Sequence, residues 1–182
     1  MTKDHDQELV EGCRKGDQAA FRILVTRYHR PIYNAAFRVL GNAEDASDIT
    51  QIVFLKITER LHEYDPQYKF FSWIYRIAIN ESINLRRHHR REVPLDDENE
   101  LPGPERNNPE SQFGAAELSR RIQGALMKLP TNDRIVISLR HFSECSYQEI
   151  GQILDLDEKT VKSRLYEARH RLRDVLKDLR SN

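Results

Sequence analysis

Apolar residues recur along the chain at spacings of three and four, the period of one helix face, and the pattern is helical throughout. Leu9, Val10 and Cys13 form a short stripe that Gly16-Asp17 interrupts. Asp17 is placed to cap a second helix carrying Phe21, Leu24, Val25 and Tyr28. Pro31 fits the first turn of a third, with Ile32, Ala35, Ala36, Val39 and Leu40 on its apolar side. Gly41 then serves as a stop and Asn42 as the cap of a fourth, which opens on Glu44, Asp45 and Asp48, where carboxylates suit the positive helix end. Its stripe is Ile49, Ile52, Val53, Ile57 and Leu61. After a polar turn at Asp65-Pro66, a last helix of this segment is expected from about Phe71 to Arg91. Ile74, Ile77, Ala78 and Leu85 form its core face, and Arg76, Asn80, Asn84 and Arg87 lie on a different side.

Val93 to Ala116 has no sustained period and reads as a linker of residues 93–116. From Val93 to Glu117 seven carboxylates stand against one base, Arg106, so the stretch is close to net −6. As a flexible coil it spans roughly 25–30 Å. Two readings stay open: a solvated tether, or an acidic strand that occupies a nucleic-acid channel by charge mimicry. Beyond it, Leu118, Ile122, Ala125, Leu126 and Leu129 predict a helix ended near Pro130. Asn132 is placed to cap the next, with Ile135, Val136, Leu139 and Phe142 as its stripe. Ser146 and Glu149 have the spacing of a capping box, which opens a short helix with Ile150, Ile153 and Leu154. The turn Asp155-Leu156-Asp157 leads into a long helix burying Val161, Leu165, Ala168, Leu172 and Leu176. A short helix, a tight turn and a long helix make a helix-turn-helix, from Ser146 to Tyr166 and beyond. Lys159, Lys162, Ser163, Tyr166 and Arg169 share the other side of the long helix, where basic and hydroxyl groups suit major-groove entry.

The expected fold is therefore all-α: two small helical domains, residues 1–92 and 117–182, joined by the acidic linker. Bulk composition adds little, since Lys+Arg and Asp+Glu are both 29 and any basic surface must be local. One local concentration stands out. Tyr64, Tyr68, Phe70, Phe71, Trp73 and Tyr75 fall within twelve residues and run on into Arg86, Arg87, Arg90 and Arg91. Rings on which unpaired bases stack, followed by a phosphate-tracking run, describe a surface for single-stranded nucleic acid. The same rings equally describe a core. Cys13 and Cys145 fall in different predicted domains and are expected as reduced thiols, with no metal-ligand pattern. The acidic, polar start and the lack of a ~20-residue apolar run predict no leader and no membrane insertion, hence a cytoplasmic protein.

Three motifs together resemble bacterial sigma factors of the extracytoplasmic-function group within the sigma-70 family. Asp48, Gln51 and Phe54 look like the family's Asp-x-x-Gln-x-x-Phe element. Phe70 to Asn80, with Trp73, Ile74, Ile77 and Ala78, is similar to the region that melts and reads the minus-ten element. Ser146 to Arg171 resembles the domain that reads the minus-thirty-five element. The resemblance implies a non-enzymatic transcription initiation factor with no cofactor and no metal. Its partners would be core RNA polymerase, through the clamp of the largest subunit and the flap of the second-largest, and promoter DNA, both duplex and melted non-template strand. An anti-sigma protein would be a further partner, and the free chain would be a monomer. Polymerase docking would fall to Asp48, Gln51, Ile52 and Leu55. The minus-ten element would be read by Tyr64, Tyr68, Phe70, Phe71, Arg76, Asn80, Asn84 and Arg87. The minus-thirty-five element would be read by Lys159, Lys162, Ser163, Arg164, Tyr166, Glu167 and Arg169.

The chain departs from the family at three places. Ile52 stands where Glu is usual, Glu167 where a base is common, and Asp65 to Tyr68 where Arg-Gly-type sequences are common. An enzyme reading built on Glu44, Asp45, Asp48 and His62 lacks the Glu-x-x-His pairing of helical-bundle metal sites. His88 and His89 are adjacent and point apart on a helix. A stand-alone helix-turn-helix regulator is the other alternative, and it would bind its promoter without polymerase.

Overall fold

The computed structural model describes residues 3–92 and 112–181. Among them there are eight α-helices, one 3-10 turn and no strand. The first bundle holds α1 (Lys3–Arg14), α2 (Gln18–Leu40), α3 (Ala43–Arg60) and α4 (Phe70–Glu92), with the 3-10 turn Leu61–Glu63 between the last two. The second holds α5 (Gln112–Met127), α6 (Thr131–His141), α7 (Tyr147–Leu154) and α8 (Glu158–Ser181). Most of the tethering segment, residues 93–111, lies outside the described residues, as do the questions about its charge.

The expected caps form. Asp17 accepts from the amides of Ala19 and Ala20, and Asn42 from those of Glu44 and Asp45. Ser146 and Glu149 close a reciprocal box, and Asp157 accepts from the Thr160 amide at 2.8 Å. Four expectations need correction. Pro31 lies inside α2 and starts no new helix. The stripe Leu24, Tyr28, Ile32, Ala35, Val39 runs unbroken through it, and burying that stripe outweighs one missing amide. Helix α5 starts at Gln112, inside the segment read as linker. Asn132 caps nothing; α6 begins at Thr131 behind Pro130, without a side-chain cap. Leu118, Phe142 and Leu176, expected in buried stripes, are exposed.

The two bundles are not independent. Helix α4 packs on α7, and α2 packs on α6, so one continuous core cluster joins Val39, Ile74 and Ile77 of the first bundle to Ile135, Leu139, Ile150 and Ile153 of the second. Helix α6 lies between α2 and α8 and is buried from Asp133 to Leu139 without a polar side. Gly41 makes one close approach possible. It ends α2 in the left-handed region at φ 78°, and Met127 of α5 fills the space beside it, its Cε 2.6 Å from where a Cβ would stand.

Gly151 does the same within the helix-turn-helix, where a Cβ would lie 2.5 Å from the Leu156 carbonyl oxygen. That oxygen is main chain and has little freedom to move, because the Leu156 amide is bonded to the Gly151 carbonyl at 2.9 Å. Gly151→Ala is therefore expected to destabilise the chain by about 2 kcal/mol, the overpacking cost exceeding the gain in helix propensity. Urea unfolding measures it, and a stabilised variant would contradict the packing described.

Candidate nucleic-acid interface

Helix α3 carries two stripes. Ala46, Ile49, Thr50, Val53 and Ile57 are buried against the bundle. Asp48, Gln51, Ile52 and Leu55 fall at i, i+3, i+4 and i+7 and all face solvent. Ile52 was expected in the core stripe as well as in docking; it is 36% exposed, and Leu55 is 61% exposed. Leu55 stands largely in water and Ile52 at the edge of the bundle, both beside an exposed carboxylate and amide, which leaves apolar surface open on this side of the helix. Phe54 turns inward, its ring stacked 6.3 Å from that of His29.

The aromatic stretch divides. Phe70 is 2% exposed and Tyr64 3%, and with Trp73 they form a ring cluster with centroids 5.3 to 5.7 Å apart. Tyr64 and Phe70, expected to meet the single strand, are both almost wholly covered in this state. They brace the loop instead. The Tyr64 hydroxyl donates to the Tyr68 carbonyl at 2.8 Å, and Arg14 donates to the Tyr64 carbonyl at 2.7 Å. Tyr68 is exposed, Phe71 is half-buried with its ring 4.1 Å from that of Tyr75, and burial pushes the Tyr75 hydroxyl up to about 12. Arg76, Asn80, Asn84 and Arg87 are all exposed along one side of α4, as expected. The side chains of Arg90 and Arg91 lie outside the described residues.

On α8 the seven predicted contact residues, Lys159, Lys162, Ser163, Arg164, Tyr166, Glu167 and Arg169, are all exposed. Val161, Leu165 and Ala168 hold the helix to the bundle from the other side. Glu167 lies 3.8 Å from Arg171, which also pairs with Asp133, so its carboxylate is partly committed within the domain. Lys162 sits over the Tyr147 ring at 5.5 Å and Arg140 at 5.0 Å, so cations crowd around the short helix.

Three residues outside the predicted set matter most. Arg134 is wholly buried, and its guanidinium donates to the carbonyls of Leu126, Met127 and Leu129 near the end of α5 and to Val39 near the end of α2. Burial pushes it down to about 10, which leaves it charged at neutral pH. Lys69, beside the exposed loop, donates to Glu149 of α7 at 2.8 Å. Burial raises the Glu149 carboxyl, but its bonds to Lys69 and Ser146 outweigh that and hold it below its ordinary value. A cleft of about 570 Å³ opens between the domains, lined by Glu63, Asp65, Tyr68, Trp73 and Arg76 on one side and by Asp155, Asp157 and Glu158 on the other. The only sequence sign of Arg134 is a helix with no polar stripe to receive it. Glu149 is legible only as a cap.

Among the described residues no group of three or more metal-ligating side chains comes together, and no helix is long and apolar enough to cross a membrane. Cys13 is half-buried and Cys145 buried, both free thiols, and burial pushes Cys145 up to about 12.

Comparison with known proteins agrees with this arrangement. Sigma-70 region 2 matches residues 24–92, and sigma-70 region 4 matches residues 119–172. The ECF RNA polymerase sigma factor SigW of Bacillus subtilis is 36% identical, covering 95% of this chain and 97% of that protein. The ECF RNA polymerase sigma-E factor of Escherichia coli is 32% identical, covering 96% and 95%. The structure of CnrH in complex with the cytosolic domain of CnrY has a TM-score of 0.74 at 28% identity, covering 95% and 97% of the two chains. Relatives that span the chain from end to end, and a match to region 2 in the first bundle and to region 4 in the second, leave one conclusion: this chain belongs to the extracytoplasmic-function group of RNA polymerase sigma factors, transcription initiation factors rather than enzymes.

Proposed function

We propose that this chain carries core RNA polymerase to its promoters through three separate faces. The exposed stripe of α3, Asp48, Gln51, Ile52 and Leu55, docks on the clamp of the largest subunit. The carboxylate and amide meet basic and polar groups, and the two aliphatic residues lose water. Ile52 in place of the usual Glu makes this contact more apolar than in the resembling proteins. The loop from Tyr64 to Phe71 takes the melted non-template strand at the minus-ten element. Tyr68 supplies an open ring, Phe71 an edge, and Tyr64 and Phe70 the rigid support. Arg76, Asn80, Asn84 and Arg87 meet phosphates and base edges along α4. Helix α8 enters the major groove at the minus-thirty-five element through Lys159, Lys162, Ser163 and Tyr166. Arg164 and Arg169 lie on the phosphates, and Glu167 is able to accept from a cytosine amino group.

One observation carries this reading: on each of α3, α4 and α8 a second side faces solvent in addition to the stripe that builds the core. The second domain also meets the flap of the second-largest subunit. The free chain is a cytoplasmic monomer, and an anti-sigma protein is its antagonist. CnrH, similar over nearly its whole length, was solved with a protein partner, which supports such control.

The test is transcription. Core polymerase and a promoter library should yield run-off transcripts that disappear when this chain is omitted, and a chain that binds promoters without polymerase would contradict the reading. Replacing Lys162 and Ser163 by Ala together is expected to reduce those transcripts roughly tenfold, the worth of one good base contact. Binding to core polymerase should stay unchanged in the same preparation, and equal loss of both would show general unfolding.

A further inference from the structure

Helix α1 has no part in the three faces, yet its side chains reach the loop assigned to the melted strand. Asp6 anchors the helix: its buried carboxylate accepts from the Tyr28 hydroxyl at 2.5 Å and from Arg27. Gln7 and Arg14 stand seven residues apart, so they share one side of α1. Gln7 donates to the Pro66 carbonyl at 2.8 Å. Arg14 donates to the Leu61 carbonyl at 3.2 Å and to the Tyr64 carbonyl at 2.7 Å, and its guanidinium lies 5.9 Å from the centre of the Tyr64 ring. The two side chains, about 10 Å apart along the helix, thus hold the loop at its entry and at its tip. Bonds inside the loop are short-range. The Tyr64 amide donates to the Leu61 carbonyl, the Tyr68 amide to the Asp65 carbonyl and the Gln67 amide to the Asp65 carboxylate. Those bonds shape a turn, and the bonds from α1 fix where that turn stands on the bundle.

We propose that α1 is a positioning helix for strand capture, with Gln7 and Arg14 holding the main chain of residues 61–68 in the conformation that meets the minus-ten bases. The proposal rests on the strand-site reading above. All three acceptors are carbonyls, so the hold leaves the side chains of Gln67 and Tyr68 exposed. Gln7 and Arg14 act through the loop and not on the strand. A loop that receives an unstacked base gains from being fixed beforehand. The cost of ordering it at capture would be subtracted from a binding energy that already has to cover the unstacking.

Arg14→Ala and Gln7→Ala are compared in the full-length chain with Lys15→Ala, which removes the same charge as Arg14→Ala from the next, exposed position. By hydrogen exchange, the Tyr64 and Tyr68 amides should exchange about tenfold faster in Arg14→Ala than in wild type, with the Val10 amide of α1 as protected as before. With core polymerase and a promoter recovered from the library, run-off is then compared with that from copies changed at one minus-ten base or at one minus-thirty-five base. Arg14→Ala should lower discrimination between minus-ten bases about fivefold and Gln7→Ala by less, with discrimination at the minus-thirty-five element unchanged. Each value is a ratio within one preparation, so loss of folded protein does not move it. Lys15→Ala should match wild type in both measurements, and a Lys15→Ala that behaves as Arg14→Ala overturns the proposal. Unchanged exchange at Tyr64 and Tyr68 overturns it, as does an unchanged minus-ten ratio. Faster exchange at Val10 as well would mean that α1 unpacks as a whole, which also overturns the specific role of Arg14. Tyr68→Ala separates this failure from that of the strand-site reading. If Tyr68→Ala lowers the minus-ten ratio and Arg14→Ala does not, only the positioning role falls. If neither lowers it, the loop does not read the strand and both fall.

Discussion

Arg134→Ala is expected to lower the unfolding free energy by about 4 kcal/mol and the thermal midpoint by roughly 10 °C. Among the described residues no carboxylate accepts from this buried guanidinium. Its acceptors are the carbonyls of Leu126, Met127, Leu129 and Val39 and the Met127 thioether, the last at 3.1 Å. Three of the carbonyls belong to the C-terminal end of α5, Leu129 just past it, and the fourth to the last turn of α2. Those are the negative ends of two helices, one in each domain, so Arg134 caps both at once. Truncation takes a donor from four carbonyls, of which Leu126 keeps the Leu129 amide, and opens a cavity where the guanidinium lay.

Arg134→Lys keeps the charge but reaches fewer of the carbonyls, so it should fall between wild type and Ala. Arg134→Met fills the space without donating, and its stability should lie near that of Ala if the bonds dominate. Urea and thermal unfolding measure all three. A loss below 1 kcal/mol for the Ala variant would mean that water replaces the guanidinium in the fold, and the double cap would then have no energetic role.

Arg134 also marks where sequence reading stops. Most elements of this chain were legible where the cause is local, the cap expected at Asn132 being the exception. Asp17, Asn42, Ser146 and Asp157 each satisfy amides two or three residues away, and Gly41 ends its own helix. Helix α8 was legible for the same reason, its buried and basic sides sorting by period alone. Where the cause is distant, pattern reading ran out. Pro31 reads as a start because its own turn says so, while the stripe that carries α2 past it is held by helices far along the chain. Tyr64 and Phe70 have the composition of a base platform and the environment of a core, and composition does not distinguish the two. Lys69 and Glu149 are 80 residues apart, and nothing near either names the other.

Leu55→Glu is expected to weaken binding to core polymerase about 100-fold while leaving the fold intact. The side chain is 61% exposed, so Glu, a good helix former, should change stability by less than about 0.5 kcal/mol. In the proposed docked state Leu55 closes the stripe that begins at Asp48, with its side chain against polymerase. An unpaired carboxylate pressed against polymerase there costs about 3 kcal/mol, near the 100-fold stated. Asp48→Ala with Gln51→Ala removes polar contacts nearer the rim and should cost about tenfold. Leu118→Glu, an equally exposed Leu on α5, should bind as wild type, which separates a specific face from a general loss of surface apolarity. Titration against labelled core polymerase gives each value. Wild-type affinity in the Leu55 variant would remove α3 as the docking helix.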